Sequence, residues 1–165
     1  MTPAPILRHQ AIIMSLSYFF KVHFRGKPCK PFFAPTDVVF DEINIVQPDL
    51  LVVCDPHKMS NEKNIQGAPD LVVEVLSPST RLKDRREKKL LYERFGVREY
   101  WIVYPDDDLV ERLTLNDGRY VSDLFNWDET LSSSAYPELL IPLWEVFEKE
   151  LPISVDEAPE TEALP

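Results

Sequence analysis

The chain is poor in glycine, with four in 165 residues against 15 prolines. The four stand far apart, so a glycine-rich loop cradling phosphate is excluded. Cysteine is scarcer still. Cys29 and Cys54 show no C-x-x-C spacing, which argues against a zinc site or a disulfide framework and for two buried or half-buried thiols. Long hydrophobic runs are missing too. The apolar stretch near residues 11–20 is broken by Ser15 and Ser17 and flanked by His9 and Lys21. It is too short to span a bilayer, and no signal peptide is visible, so a cytoplasmic protein with no membrane partner is expected. What the chain does have is a 44% hydrophobic fraction, enough for one globular domain with a real core.

The formal net charge is -10, which by itself would disfavour a nucleic-acid partner. The charge is unevenly placed, however. Residues 1–36 contain five basic side chains and no acid, and residues 79–98 hold eight basic side chains against three acids. After residue 98 the basic residues are Arg112, Arg119 and Lys149. The acidity therefore belongs to the C-terminal part. Residues 154–165, rich in Pro and Glu, read as a disordered tail on a single domain spanning 1–153.

Residues 6–25 read as a helix with Ile6, Ile13, Leu16 and Phe20 near helical spacing, ended by Gly26 and Pro28. Short extended runs follow at 30–34 and 37–40. PDLLVVCD from Pro48 and PDLVVEVLS from Pro69 are nearly unbroken, β-branched apolar runs, as in strands buried on both faces. The polar, turn-rich stretch between them suits antiparallel pairing across a long loop. Residues 77–80 carry a helix-start signal. The helix after it, about 81–95, is expected to turn Leu82, Leu90, Leu91 and Phe95 inward and to stop at Gly96. EYWIVYP (99–105) reads as a buried strand with Trp101 in the core, and Trp127 and Trp144 read as core before base-stacking platforms. Residues 108–117 alternate and run into Asn-Asp-Gly, a hairpin signal. LWEVFEKE reads as a short helix. The order predicts an α/β fold with a mixed central sheet flanked by helices.

Three acids stand out: Asp49, Asp70 and Glu74. An acid inside VVEV is expected to be buried, and a buried carboxylate needs a cation, hydrogen bonds or a raised pKa. A structural acid paired with an Arg or Lys of the next helix would meet that need equally well. Antiparallel pairing of the two strands brings the start of one beside the end of the other, so Asp49 and Glu74 converge. Two hard carboxylates with waters completing the shell suit Mg²⁺. Asp84, Lys88 and Tyr92 form one stripe on the following helix. Lys88 there could stabilise charge on a phosphoryl group, or belong to a solvated helix face paired with Asp84.

Taken together, QPDLLVVCD, GAPDLVVEVLSPST, the D-x3-K-x3-Y stripe and FGVREYWIVYP resemble the Uma-type family of restriction-endonuclease-like proteins, a branch of the PD-(D/E)XK nuclease superfamily. The resemblance covers His9 to about Phe147. It implies a restriction-endonuclease-like core and Mg²⁺- or Mn²⁺-dependent cleavage of DNA. It implies Asp49 and Glu74 as metal ligands and catalytic acids. The superfamily's lysine usually lies two residues after that acid, where this chain has Leu76, so the resemblance passes the role to Lys88. Asp70, His9 and Tyr92 become accessory residues, His9 with Gln10 standing at the family's His-Gln position. Arg81, Lys83, Arg85, Arg86 and Lys89 are the expected grip on the phosphate backbone. Relatives carry a further N-terminal segment, with a Glu and a Gly-containing turn, ahead of a helix at which this chain almost begins. A shortened start implies the alternative of a catalytically inactive nuclease-like module that binds nucleic acid or a protein partner. A homodimer is compatible with either.

Overall fold

The structure is a computed structural model and describes residues 7–77 and 83–151, leaving aside the side chains of Lys83 and Asp84. Helix α1 spans Leu7–His23, followed by strands β1 (Lys30–Phe33), β2 (Val38–Val39), β3 (Ile45–Val46) and β4 (Leu50–Val53). A 3-10 turn at Pro56–Met59 leads to β5 (Ile65–Gln66) and β6 (Leu71–Val75), then to α2 (Lys83–Phe95). Strands β7 (Glu99–Tyr104), β8 (Leu109–Asn116), β9 (Arg119–Asn126), β10 (Thr130–Ser132) and β11 (Leu140–Pro142) follow, and α3 (Leu143–Val146) ends the described elements.

Six strands form the main sheet in the order β1-β4-β6-β7-β8-β9. Neighbours run antiparallel except β6 and β7, which are parallel and joined through α2. A parallel pair needs such a crossover, and the crossover helix packs back on one face of the sheet. Two small sheets, β3-β2-β5 and β10-β11, flank the main one.

The two unbroken apolar runs are buried on both sides, as expected. Leu50, Val52, Leu71 and Val73 face a core with Ile12, Leu16 and Phe20 of α1, whereas Leu51, Val53 and Val72 face Tyr92, Tyr100 and Leu113. The alternation of one strand thus feeds two cores. Trp101 is fully buried and sits edge-on to Phe20, while Trp127 and Trp144 are half-buried. The Asn-Asp-Gly turn is a two-residue hairpin: Asn116 pairs with Arg119, and Asp117 and Gly118 both take positive φ, the requirement of a type I′ turn.

Three expectations need correction. Along α1 the buried face is His9, Ile12, Leu16 and Phe20, so Ile12 and not Ile13 enters the core, and Ile13 packs at its margin. On α2, Leu90 is 56% exposed and Tyr92 takes the deep position. The helix rotates to put Lys88 and Tyr92 over the sheet, because both bond a buried carboxylate there. The cysteines are not free thiols: Cys29 and Cys54 form a disulfide. Lys30 pairs with Val53 in the antiparallel β1–β4 ladder, so the next residues outward on each strand meet, which chain spacing alone does not reveal. The helix-start signal after Ser77, Ile6, Leu82 and the tail from 154 lie outside the described residues. Among the described residues no helix is long and apolar enough to cross a membrane.

Candidate active site

The site is built by strand register. Leu50 pairs with Val73 and Leu51 with Val72, so one further step places Asp49 opposite Glu74, on the face of the sheet that α2 covers. Paired residues project to the same side. The Asp49 carboxylate also accepts a hydrogen bond from the Val75 amide, 2.7 Å to Oδ2, which ties the entry of β4 to the end of β6.

Glu74 is 5% exposed, and α2 satisfies both its oxygens. Tyr92 donates to Oε1 at 2.7 Å and Lys88 Nζ to Oε2 at 2.9 Å. Burial pushes the Glu74 carboxyl up to about 7. The Lys88 ammonium and the Tyr92 hydroxyl pull the other way, and the nearby charge of Asp49 adds to the rise. A group so placed favours any added cation that would neutralise the pair. The Tyr92 phenol is raised well above its ordinary range by burial and by Glu74, so it stays a donor at neutral pH.

His9 comes from the other layer. Its Nε2 lies 2.9 Å from the Val75 carbonyl oxygen and 3.5 Å from Asp49 Oδ2. A ring nitrogen facing a carbonyl carries the proton, which sets the tautomer. The imidazole pKa is raised by the Asp49 carboxylate, with burial opposing. Nδ1 is buried without a hydrogen-bond partner. The structure thus brings together Asp49, Glu74, Lys88, Tyr92 and His9, from four elements or their edges.

Asp70 does not join them. It precedes β6, at the opposite end from Glu74, where it accepts from the Cys54 amide at 2.8 Å and from the Arg98 guanidinium. Its place is a strand-entry brace. Of the residues expected to grip DNA, Arg81 and the side chain of Lys83 lie outside the described residues, Arg86 is exposed and Lys89 half-buried. Arg85 is committed within the fold, 3.1 Å from Glu111 Oε2 and over the Tyr104 ring.

Glu111 is the residue that sequence reading missed. It is 5% exposed and also accepts from Tyr104 and Ser122, each at 2.8 Å. Ile102 pairs with both Glu74 and Glu111, so Asp49, Glu74, Ile102 and Glu111 make one row across the sheet, with two buried carboxylates gripping α2. The signal was present: an acid between Val110 and Leu113 in an alternating strand.

Among the described residues no group of three or more His, Cys, Asp or Glu is disposed to hold a metal ion. The donors available are two carboxylates and the Val75 carbonyl, hard oxygens only two of which carry charge. That set fits a cation such as Mg²⁺, which keeps several of its waters, and not a closed zinc site.

A crystal structure of a "putative nuclease belonging to DUF820" from Anabaena variabilis superposes with a TM-score of 0.73 at 19% identity, covering 88% of this chain and 83% of that one. That likeness establishes a shared restriction-endonuclease-like fold. The uncharacterized protein slr1290 of Synechocystis is 38% identical over 87 residues, which is 51% of this chain and 44% of that protein. The chain thus aligns with less than half of that relative's length. The profile of the family Uma2, described as "Putative restriction endonuclease", matches residues 1–144, and the chain belongs to that family.

Proposed function

We propose that this chain hydrolyses phosphodiester bonds in DNA with Mg²⁺ or Mn²⁺ held by Asp49 and Glu74, through a PD-(D/E)XK-type site whose lysine, Lys88, is carried by α2. The observation that carries the reading is the register that sets Asp49 opposite Glu74, with Lys88 2.9 Å from the Glu74 carboxylate. A divalent cation bound there supplies a polarised water and neutralises phosphoryl charge.

The chain's own residues have separate tasks. Tyr92 holds one oxygen of Glu74 and leaves the carboxylate a single orientation. The His9 imidazole, beside Asp49 and anchored on the Val75 carbonyl, limits the swing of the first carboxylate. The Lys88 side chain is 25% exposed and its ammonium is held 2.9 Å from Glu74, beside the carboxylate pair where charge developing on a phosphate would need stabilising. The basic residues Arg86 and Lys89 on α2 supply backbone attraction that is independent of sequence.

One observation favours a second reading, a nuclease-like module that binds DNA without cutting it. Both Glu74 oxygens are already engaged by Tyr92 and Lys88, as a purely structural carboxylate would be. Incubation of supercoiled plasmid with Mg²⁺ or Mn²⁺ separates the two. Nicking that needs the metal, and that falls at least 100-fold in Lys88→Met and Asp49→Asn, supports catalysis. Retention of plasmid without nicking supports the module.

A further inference from the structure

On the face of the sheet that carries Asp49 and Glu74, the edge strand β1 opens into a pocket of about 430 Å³. Phe32 stands on the same side as Leu51, its partner in β4, and packs on the core around Tyr92. Lys30, two residues earlier, shares that side. Thr36, Met59, Lys63 and Asn64 complete the wall, with Glu62 also on the rim. The small sheet holds this wall in place: Ile65 donates to the Asp37 carbonyl at 2.8 Å, and Val38 pairs with Ile65.

The pocket is close to the carboxylate pair. Ala34 donates to the Asp49 carbonyl at 3.1 Å, so Phe32 lies two strand residues, about 7 Å, along β1 from the level of Asp49. Phe32, Met59, Thr36 and Asn64 are half-buried and Lys30 and Lys63 exposed, so an aromatic ring, a thioether, a hydroxyl and an amide with two ammonium groups at the mouth match an unpaired nucleotide. The base would lie on Phe32 and Met59, its polar edge would meet Thr36 and Asn64, and its phosphate would meet Lys30 and Lys63. The two lysines outnumber Glu62, so the mouth is basic on balance.

We propose that this pocket is a subsite for one unstacked nucleotide of the DNA strand, next to the scissile phosphate. The proposal deepens the nuclease reading and rests on it. It assigns Phe32, Lys30 and Lys63 to substrate grip, a role separate from the carboxylate row.

The test is binding without turnover. A 5′-fluorescent single-stranded hexanucleotide is titrated with the protein in EDTA and followed by anisotropy, alongside steady-state cleavage of the same oligonucleotide with Mn²⁺. Phe32→Leu keeps an apolar contact to the core but removes the ring, and is expected to weaken binding about tenfold. Lys30→Ala with Lys63→Ala changes exposed groups only, and is expected to weaken binding and lower its salt dependence. In cleavage these changes should raise KM and spare kcat. Circular dichroism confirms that each variant is folded. Unchanged affinity and KM in both variants, or no binding by the parent chain, overturns the subsite. If the oligonucleotide binds through Phe32 and the lysines but is never cut, the subsite stands and the nuclease reading falls. If cutting is metal-dependent while the variants behave as the parent, the nuclease reading stands and the subsite falls.

Discussion

Tyr92 and Glu74 meet beneath α2: the phenol is fully buried and donates across 2.7 Å to the carboxylate of a residue that is 5% exposed. Tyr92→Phe keeps the ring in the core and removes only the donor. Leaving one buried oxygen short of a partner is expected to cost about 1–3 kcal/mol. Urea unfolding of the two chains at neutral pH measures it, and equal midpoints would show that Lys88 alone satisfies Glu74.

Arg85 and Arg86 are neighbours on α2 with opposite expected behaviour. Arg85 bonds the buried Glu111, whereas Arg86 is exposed. Arg85→Ala is expected to destabilise the fold by about 1–2 kcal/mol, since Glu111 keeps two of its three donors. Arg86→Ala is expected to leave stability within about 0.5 kcal/mol and to weaken DNA binding in a salt-dependent way. Thermal unfolding together with DNA titrations at two salt concentrations tells them apart.

Divalent-cation binding is expected to require both members of the cross-strand pair. Calorimetric titration with Mn²⁺ should give a binding isotherm for the parent chain and none for Asp49→Asn or Glu74→Gln. The Asn side chain still has an oxygen to accept the Val75 amide, so the fold should persist. An undiminished isotherm in both variants would place the metal elsewhere.

Glu93 gives a pH-dependent contribution at the far end of α2. Its pKa is lowered, first by the hydrogen bond from the Tyr120 amide and then by Arg119. A carboxyl with a depressed folded pKa adds stability above its unfolded value, here 4.5, and loses it as the pH falls through the folded value. Parent and Glu93→Gln chains should therefore differ in stability at pH 7 and converge on acidification below pH 4.5. A gap that stays constant through that range would mean that charge plays no part.

Much of this was legible because local pattern and global position coincide. The runs from Pro48 and Pro69 have no polar face, so they had to be central strands, and once they pair antiparallel Asp49 must approach Glu74. Lys88 and Tyr92 were legible as a stripe through helical spacing. The rotation of α2 was not: Leu90 looks like a core residue by type, but bonds to buried carboxylates outweighed its burial. Asp70 has the same strand-flanking motif as Asp49, and only the three-dimensional position of Arg98 shows that it braces and does not join the site. The Cys29–Cys54 bond depends on the β1–β4 pairing, which four residues of edge strand containing Pro31 do not announce.

The register of β4 has a consequence for how the chain tolerates change in length. Four strand residues, Leu50–Val53, separate Asp49 from Cys54. The far end is held by the bond to Cys29 and by Asp70 on the Cys54 amide. A residue inserted within that stretch can be absorbed only at the near end. There a shift by one turns a side chain to the opposite face of a sheet, so the carboxylate of Asp49 would point into the layer of α1. The proposed site thus depends on a count of four between two fixed points, and an insertion scan through Leu50–Val53 should find the metal-dependent cleavage proposed above lost at every position.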